Sequence, residues 1–150
     1  MRCVIQRVSN ASVTIDESVH ASIGQGLLIL LGVEDNDESS DILWMCKKIV
    51  NLRIFSDEQS RMNLSIQEIA GDILVISQFT LYASTKKGNR PSFIKAGKPD
   101  FAEQMYWQFI EEMKRLCNSE VKYGLFGADM KIDLRNDGPV TIIIDSKMRE

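Results

Sequence analysis

GLLILLGV, residues 26–33, is a continuous apolar run bounded by Gly26 and Gly32. A run of this length without polar alternation predicts a strand that is buried on both faces. The later run ILVISQFTLY, residues 73–82, is rich in β-branched and aromatic residues and predicts a second strand. A sheet is therefore expected to form part of the core.

Shorter segments on either side also have strand patterns. Residues 1–8 alternate, with Cys3, Ile5 and Arg7 on one side of the predicted strand. Further short strands are predicted at 12–15, at 52–55, near Val121, at 130–134 and at 140–144. Residues 83–98 form a long polar and basic loop, and a loop of this length in a compact domain is usually functional or mobile.

Two segments change to helical spacing. Residues 39–50 repeat apolar residues with this period, and Asp37 or Ser39 is the predicted N-cap. The second helix begins at Pro99-Asp100, where Asp100 and Glu103 resemble a capping box. Its apolar stripe is expected to face the core and consists of Phe101, Met105, Phe109, Met113 and Leu116.

The length and composition are those of one globular domain. The chain has 150 residues, of which 44% are hydrophobic and 26% charged, and these values exclude a disordered, collagen-like or disulfide-dense chain. The order of elements predicts a single α+β domain over residues 1–150, with mostly antiparallel curved sheets and two main helices. No apolar run is long enough to cross a bilayer and no signal peptide is recognised, so a cytoplasmic protein without a membrane partner is expected.

Cysteine and histidine content limits the possible chemistry. Cys3, Cys46 and Cys117 are widely spaced and form no CxxC pair, so reduced core thiols are expected rather than disulfides or a zinc site. His20 is the single histidine, which excludes a site with several imidazoles. A Ser-His or Cys-His hydrolase would have to use His20. No metal ion or cofactor is therefore predicted.

The charge is unevenly distributed along the chain. The net charge of −3 is not that of a typical nucleic-acid binder, and residues 34–41 hold five acids. Residues 73–99 contain no acid, and their five bases are Lys86, Lys87, Arg90, Lys95 and Lys98. This basic segment either attracts a polyanion or is an ordinary solvated loop.

Ser77-Gln78-Phe79-Thr80-Leu81 places polar residues at the end of a predicted buried strand. Buried polar side chains need hydrogen-bond partners, because an unpaired group costs about 1–3 kcal/mol. These side chains either form cross-strand hydrogen bonds or line the edge of a pocket that holds a small polar ligand.

Asn136-Asp137-Gly138-Pro139 lies between two predicted strands and is typical of a hairpin turn. Pro139 is unusual there, because proline removes a backbone donor where a strand begins. An X-Pro bond can also be cis, and the carbonyls of Gly138 and Pro139 could then accept hydrogen bonds from an ammonium group.

These motifs resemble the D-aminoacyl-tRNA deacylase family, also called D-tyrosyl-tRNA deacylase, over nearly the whole chain. The family's two signature segments match SQFTL at 77–81 and NDGPVT at 136–141, with GNRPSF at 88–93 between them. Further matching segments are VIQRVSNASV at 4–13, GLLILLGVED at 26–35, KIVNLRIFSDE at 48–58 and YGLFGADM at 123–130. Departures such as Arg61 and Ser84 lie outside both signatures.

The resemblance implies an activity and an assembly. The family hydrolyses the ester that links a D-amino acid to the 3′-terminal adenosine of tRNA, and it needs no metal or cofactor. Its fold is a barrel-like α+β unit that works as a homodimer with sites at the interface. The bond between Gly138 and Pro139 is expected to be cis and to enter the partner's pocket as a filter that rejects L-amino acids, with Arg7 holding this motif.

The resemblance also implies the residues of the pocket. The adenosine and the ester are expected at Ser77, Gln78, Phe79 and Thr80, and the pocket is expected to be lined by Phe126 and Met130. The backbone N–H groups of Phe79 and Thr80 would stabilise the oxyanion, while the ribose 2′-OH assists the attacking water. Because glycine has no side chain to collide with the filter, glycyl-tRNA is expected to be cleaved to some extent.

Two other interpretations remain open on the sequence. Thr80 could act as an acyl-enzyme nucleophile, although no base is recognised for it. The chain could instead be a non-catalytic RNA-binding module that uses the basic segment. In the deacylase interpretation, Lys86, Lys87 and Arg90 are expected to contact the phosphates of the acceptor stem.

Overall fold

Strand β3, Gly26–Gly32, is buried on both faces, as the apolar run predicts. The structure is a computed structural model, and it describes residues 1–149. The other strands are β1 (Arg2–Ile15), β2 (Ser18–Ile23), β4 (Phe55–Ser56), β5 (Met62–Leu64), β6 (Asp72–Ser77), β7 (Val121–Tyr123) and β8 (Lys131–Asp145). The helices are α1 (Ser39–Val50), α2 (Pro99–Leu116) and a short 3₁₀ helix at Phe79–Tyr82.

The main sheet is mixed and nearly closes into a barrel. Its strands follow the order β2-β1-β3-β6-β7. β8 lies outside this order and pairs with β1 along the edge opposite to β2 and β3. The predicted antiparallel arrangement holds for β1 with β2, β3 and β8, whereas β6 runs parallel to β3 and to β7. The parallel pairs follow from the long connections that contain α1 and α2. Lys122 Nζ on β7 donates to the carbonyl of Ser22 on β2 at 2.7 Å, which links the two ends of the sheet.

The core has one layer on each face of the central strands. On one face, α1 and α2 pack against the strands through residues such as Met45, Tyr106 and Phe109. The smaller layer on the opposite face includes Val8 and Leu74. A Cβ at Gly26 would overlap the backbone of Asp72, so glycine is needed where β3 begins beside β6. Within residues 1–149, no helix is long and apolar enough to span a membrane.

Strands β1 and β8 are each longer than predicted. The sequence pattern predicts two strands separated at residues 9–11, but Arg2–Ile15 is one strand because β8 pairs along almost its whole length. The hairpin predicted at 135–139 is wrong, since both halves of β8 pair with β1 and not with each other. The predicted strand at 52–55 is also too long, because only its last residue pairs as part of β4.

The run at 73–82 does not continue as a strand. β6 ends at Ser77, and Phe79–Tyr82 turns into the 3₁₀ helix. The N–H of Gln78 donates to the carbonyl of Leu31 at 2.7 Å, close to the point where β3 also ends. Because the pairing of β6 with β3 ends at Ser77, the backbone beyond this point forms hydrogen bonds within its own turn.

Both helices lie where periodicity predicts them, but their caps differ. Glu38, and not Asp37 or Ser39, is the N-cap of α1, and its N–H donates to Asp41 Oδ2 at 2.8 Å. The capping box predicted at Asp100 and Glu103 is wrong, because α2 begins after Lys98 without a side-chain cap. The predicted stripe of α2 is confirmed at Met105, Phe109 and Met113, which are buried, and the structure adds Ala102, Tyr106 and Ile110. All three cysteines are buried and free, and burial raises the pKa of Cys3 to about 12.

Candidate active site

A cleft of about 760 Å³ opens where β6 ends. One wall is formed by the end of β6 and the beginning of the 3₁₀ helix, and a second by the loop that leads into α2. The segment Phe126–Met130 closes a third side. The cleft is therefore assembled from elements that are far apart in sequence.

Five of the residues expected in the pocket line this cleft. They are Ser77, Gln78, Phe79, Phe126 and Met130. Thr80 is adjacent, and its Oγ1 accepts a hydrogen bond from Gln78 Nε2. The two signature positions at the end of β6 therefore hydrogen-bond to each other locally, and not across strands as one interpretation of the sequence suggested.

Two backbone donors at the cleft have no acceptor. The N–H of Gln78 donates to Leu31, and the N–H of Leu81 donates back to Gln78 at 3.3 Å. Between them, the N–H groups of Phe79 and Thr80 have no hydrogen-bond acceptor among residues 1–149. This follows from the 3₁₀ helix, because the first N–H groups of any helix lack an internal partner. The two donors are thus free to bind an oxygen atom of a ligand.

Two aromatic residues that were not predicted as site residues, Phe93 and Tyr106, also line the cleft. Phe93 makes an edge-to-face contact with Phe79, with ring centroids 5.0 Å apart, although Phe79 remains 58% exposed. Tyr106 packs against Phe126 at 5.8 Å. The Tyr106 hydroxyl lies within hydrogen-bonding distance of the carbonyls of Val75 (3.0 Å) and Gly124 (2.9 Å), which share its single hydrogen.

Tyr106 has a structural part in the cleft. Burial raises the pKa of its hydroxyl, so it stays protonated and keeps its donor role. In the sequence, Tyr106 has only the pattern of a core residue in a helix, and this pattern does not indicate a place in the cleft. Phe93 lies inside the GNRPSF segment, and this match was the available signal for it.

Gly138 and Pro139 do not line the cleft of their own chain. They lie in a bulge of β8, where the Gly138-Pro139 bond is cis and Gly138 has φ +142°. Arg7 contacts this bulge, since its Nε donates to the carbonyl of Asp137 at 2.8 Å. Arg7 also donates through a second nitrogen to the carbonyl of Ile54 at 2.6 Å and is only 9% exposed.

Three basic residues of the loop, Lys86, Lys87 and Arg90, do not line the cleft, whereas Lys98 does. Lys86, Lys87 and Arg90 are exposed on the loop 83–98. A backbone bridge between Ser84 and Ser92 holds the base of this part of the loop. The same loop supplies Phe93 and Lys98 to the lining of the cleft, so the basic segment is continuous in sequence with one of its walls.

Comparisons with known proteins agree with these motifs. The family profile described as D-Tyr-tRNA(Tyr) deacylase matches residues 4–145. The chain is 59% identical to the D-aminoacyl-tRNA deacylase of Bacteroides thetaiotaomicron and 61% identical to that of Bacteroides fragilis, and both alignments cover 100% of each chain.

Two solved structures have the same fold. One, titled "c-Myc DNA Unwinding Element Binding Protein", has a TM-score of 0.92 and 39% identity, covering 97% of this chain and 98% of the other. The other, a probable eukaryotic D-amino acid tRNA deacylase, has a TM-score of 0.82 at 16% identity, covering 95% and 97%, and supports the fold alone. The match over residues 4–145, together with the full-length relatives, shows that the chain belongs to the D-Tyr-tRNA(Tyr) deacylase family.

Proposed function

We propose that this deacylase cleaves the ester between a D-amino acid and the 3′-terminal adenosine of tRNA in the cleft at the end of β6. The observation that carries the proposal is that two backbone N–H groups beside an apolar cleft, those of Phe79 and Thr80, have no acceptor among residues 1–149. A volume of about 760 Å³ lies within the usual range of small-ligand sites, about 300–1,000 Å³. This volume suits the terminal adenosine with its amino acid, while the rest of the tRNA stays outside.

The two free donors suit the charge that develops during ester hydrolysis. When water attacks the ester carbonyl, its oxygen becomes an oxyanion, and the N–H groups of Phe79 and Thr80 stabilise this oxyanion. The tetrahedral intermediate then breaks its bond to the ribose 3′-oxygen, which leaves as a hydroxyl after taking up a proton. Donors of this kind typically contribute about 100–1,000-fold to the rate each.

Activation of the water falls to the substrate in this proposal. Thr80 Oγ1 accepts a hydrogen bond from an amide, and His20 is exposed on β2 and does not line the cleft. Asp129 lines the cleft, but both of its oxygens accept from Lys131 Nζ at 2.7 Å. The ribose 2′-OH adjacent to the ester is therefore assigned to position the water, and the protein contributes orientation.

The selectivity for D-amino acids is assigned to Gly138 and Pro139 of a partner subunit. Their exposed bulge is held by Arg7 and lies outside the cleft of the same chain, so a second copy is needed to bring it to a cleft. Carbonyls of this bulge bind the α-amino group of the substrate. A D side chain then points away from the bulge, whereas an L side chain collides with its backbone.

Release of amino acid from matched D-Tyr-tRNA, L-Tyr-tRNA and Gly-tRNA tests the proposal at one enzyme concentration. We expect fast release from the D substrate, none above background from the L substrate, and measurable release from the glycyl substrate. Equal release of D- and L-tyrosine would leave an esterase and discard the filter. Inertness toward glycyl-tRNA would contradict the steric account of the filter. If no substrate is cleaved but RNA is bound, the chain is a nucleic-acid-binding module.

A further inference from the structure

The bulge that carries Gly138 and Pro139 is an insertion in a continuous strand. β8 pairs with β1 on both sides of it, through Val8↔Asn136 and Gln6↔Thr141. Two steps along β1 therefore correspond to five steps along β8. The residues between Asn136 and Thr141 receive no regular support from β1, so another group must hold them in place.

The side chain of Asn136 closes the base of this bulge. Its Oδ1 accepts a hydrogen bond from the N–H of Val140 at 2.8 Å, and its Nδ2 donates to the carbonyl of Val140 at 3.2 Å. An asparagine amide carries one acceptor and two donors, so it can satisfy both backbone groups of Val140 at once. Asn136 thus supplies the pair of hydrogen bonds that a neighbouring strand would otherwise make.

The same amide joins a small polar cluster on β1 and β8. Asn136 Nδ2 also lies 3.3 Å from Thr141 Oγ1, which accepts from Gln6 Nε2 at 3.4 Å. Arg7 holds the opposite end of the bulge through the carbonyl of Asp137. The segment Gly138–Pro139 is consequently held between two points, one on each side.

The space around Gly138 shows how close these supports are. A Cβ built on Gly138 would lie 2.8 Å from Val140 Cγ2 and 3.0 Å from both Val140 N and Arg7 Nη2. The bulge is therefore packed directly against Val140, which Asn136 holds in place. It also packs against Arg7, which holds Asp137. A change in the position of Val140 would be passed to Gly138 by direct contact.

We propose that Asn136 is a positioning residue for the D/L filter. It holds Val140, and through Val140 it determines the direction of the Gly138 and Pro139 carbonyls. This inference rests on the proposed function of that bulge and adds a residue that acts on the filter through Val140. Loss of Asn136 should therefore change chiral selectivity more than it changes the fold.

The test compares the ratio of kcat/KM for D-Tyr-tRNA to that for L-Tyr-tRNA in three proteins. Asn136→Ala removes both hydrogen bonds to Val140, and we expect the ratio to fall about tenfold or more, in keeping with the loss of two partly buried hydrogen bonds. Asn10→Ala is the matched control, because Asn10 is an exposed asparagine on β1 whose side chain only accepts from Ser9 at 3.4 Å. It should keep the wild-type ratio.

Melting temperature and oligomeric state are measured on the same samples. A merely structural role for Asn136 would lower the melting temperature and leave the D-to-L ratio unchanged, and this result would overturn the inference. If Asn136→Ala does not fold, Asn136→Asp replaces it, since the carboxylate still accepts from Val140 N–H but lacks the donor. Its ratio should fall in the same direction, and an unchanged ratio would overturn the inference in that variant too.

Failure of the proposed function gives a different result. If the wild-type protein and Asn10→Ala do not discriminate between the two substrates, the filter itself is absent. If both discriminate and the Asn136 variants discriminate equally well, the filter stands and only the role of Asn136 is refuted.

Discussion

The hydroxyl of Thr80 illustrates how a single contact limits the mechanism. Gln78 Nε2 donates to Thr80 Oγ1, and no carboxylate or imidazole is hydrogen-bonded to this oxygen within the described chain. A nucleophilic hydroxyl needs a neighbouring base that removes its proton. The role that we propose for Thr80 is therefore that of its backbone N–H, which a change of side chain leaves in place.

Replacing Thr80 with valine tests this assignment. We expect Thr80→Val to retain substantial cleavage of D-Tyr-tRNA, with a loss of about tenfold or less, since it removes one side-chain hydrogen bond worth about 1 kcal/mol. Single-turnover kinetics measure the effect. Complete loss of turnover, or an acyl adduct on Thr80 trapped in the wild-type protein, would instead favour the nucleophile mechanism.

Asp41 provides a pH-dependent contact between α1 and the end of the chain. Desolvation by burial raises its pKa, but hydrogen bonds from Lys147 Nζ (2.7 Å) and the N–H of Glu38 outweigh this, and the pKa is lowered overall. A carboxyl group whose pKa is lower in the folded state than in the unfolded state stabilises the folded protein at pH values above the unfolded-state pKa. That contribution is lost as the pH falls through the folded-state pKa.

Urea unfolding of the wild type and Asp41→Asn over a pH series tests this contribution. The wild type should be the more stable protein between about pH 5 and 7, and the difference in free energy of unfolding should shrink below about pH 4. Glu58→Gln is an exposed control that should show no comparable difference. A difference that stays constant or grows in acid would show that the Asp41 charge is not responsible.

Among the elements, the loop 83–98 combines two properties that the sequence displays separately. It contributes Phe93 to the cleft, and it carries exposed Lys86, Lys87 and Arg90. The overall charge of −3 does not favour tRNA binding, so a local positive segment beside the cleft is the region suited to its phosphates. The loop is thus expected to orient the acceptor end of the tRNA.

Charge reversal on this loop tests its contact with tRNA. Lys86→Glu, Lys87→Glu and Arg90→Glu should each weaken binding about equally for different aminoacyl groups and reduce the slope of log K against log salt by about one. Lys47→Glu is the control, because Lys47 is also exposed but lies on α1, outside the loop 83–98. An unchanged slope would remove the substituted residue from the set of phosphate contacts.

In the molecule as a whole, one long strand edge has no partner strand among residues 1–149. β8 extends over Lys131–Asp145 and pairs with β1 alone among the strands of residues 1–149. It carries Ile143, which is 69% exposed. Proteins usually cover or interrupt such edges, and a second copy of the chain would cover this one. The same association would supply Gly138 and Pro139 to a neighbouring cleft.

Sedimentation of the wild type and Ile143→Arg tests this association. We expect the wild type to be a homodimer, and the variant to be a folded monomer with little activity on D-Tyr-tRNA, because its clefts lack the partner's bulge. Val19→Arg is the control, since Val19 is 66% exposed on β2, away from β8. If the wild type or Ile143→Arg were a fully active monomer, this result would contradict a filter that acts across the dimer.

Several elements follow from local side-chain pattern alone. The apolar run of β3 is buried on both faces, and the helical spacing at 39–50 produces α1 over those residues. Hydrophobicity and period suffice here, because removing apolar side chains from water needs no particular partner. The signature segments identify the family in the same way, since their residues are recognisable before any contact is known.

Other features depend on contacts between distant segments. The Asn136–Pro139 pattern locally favours a hairpin, but β1 is long enough to pair with both halves of β8, and this pairing replaces the turn. β-propensity favours a strand at Phe79–Tyr82, yet no strand of residues 1–149 pairs with it, and the resulting 3₁₀ helix leaves two N–H groups free. Arg7 meets Asp137 only because β1 and β8 are neighbours. Hydrogen bonds need a specific partner at a specific distance, so folding had to bring these groups together before a site existed.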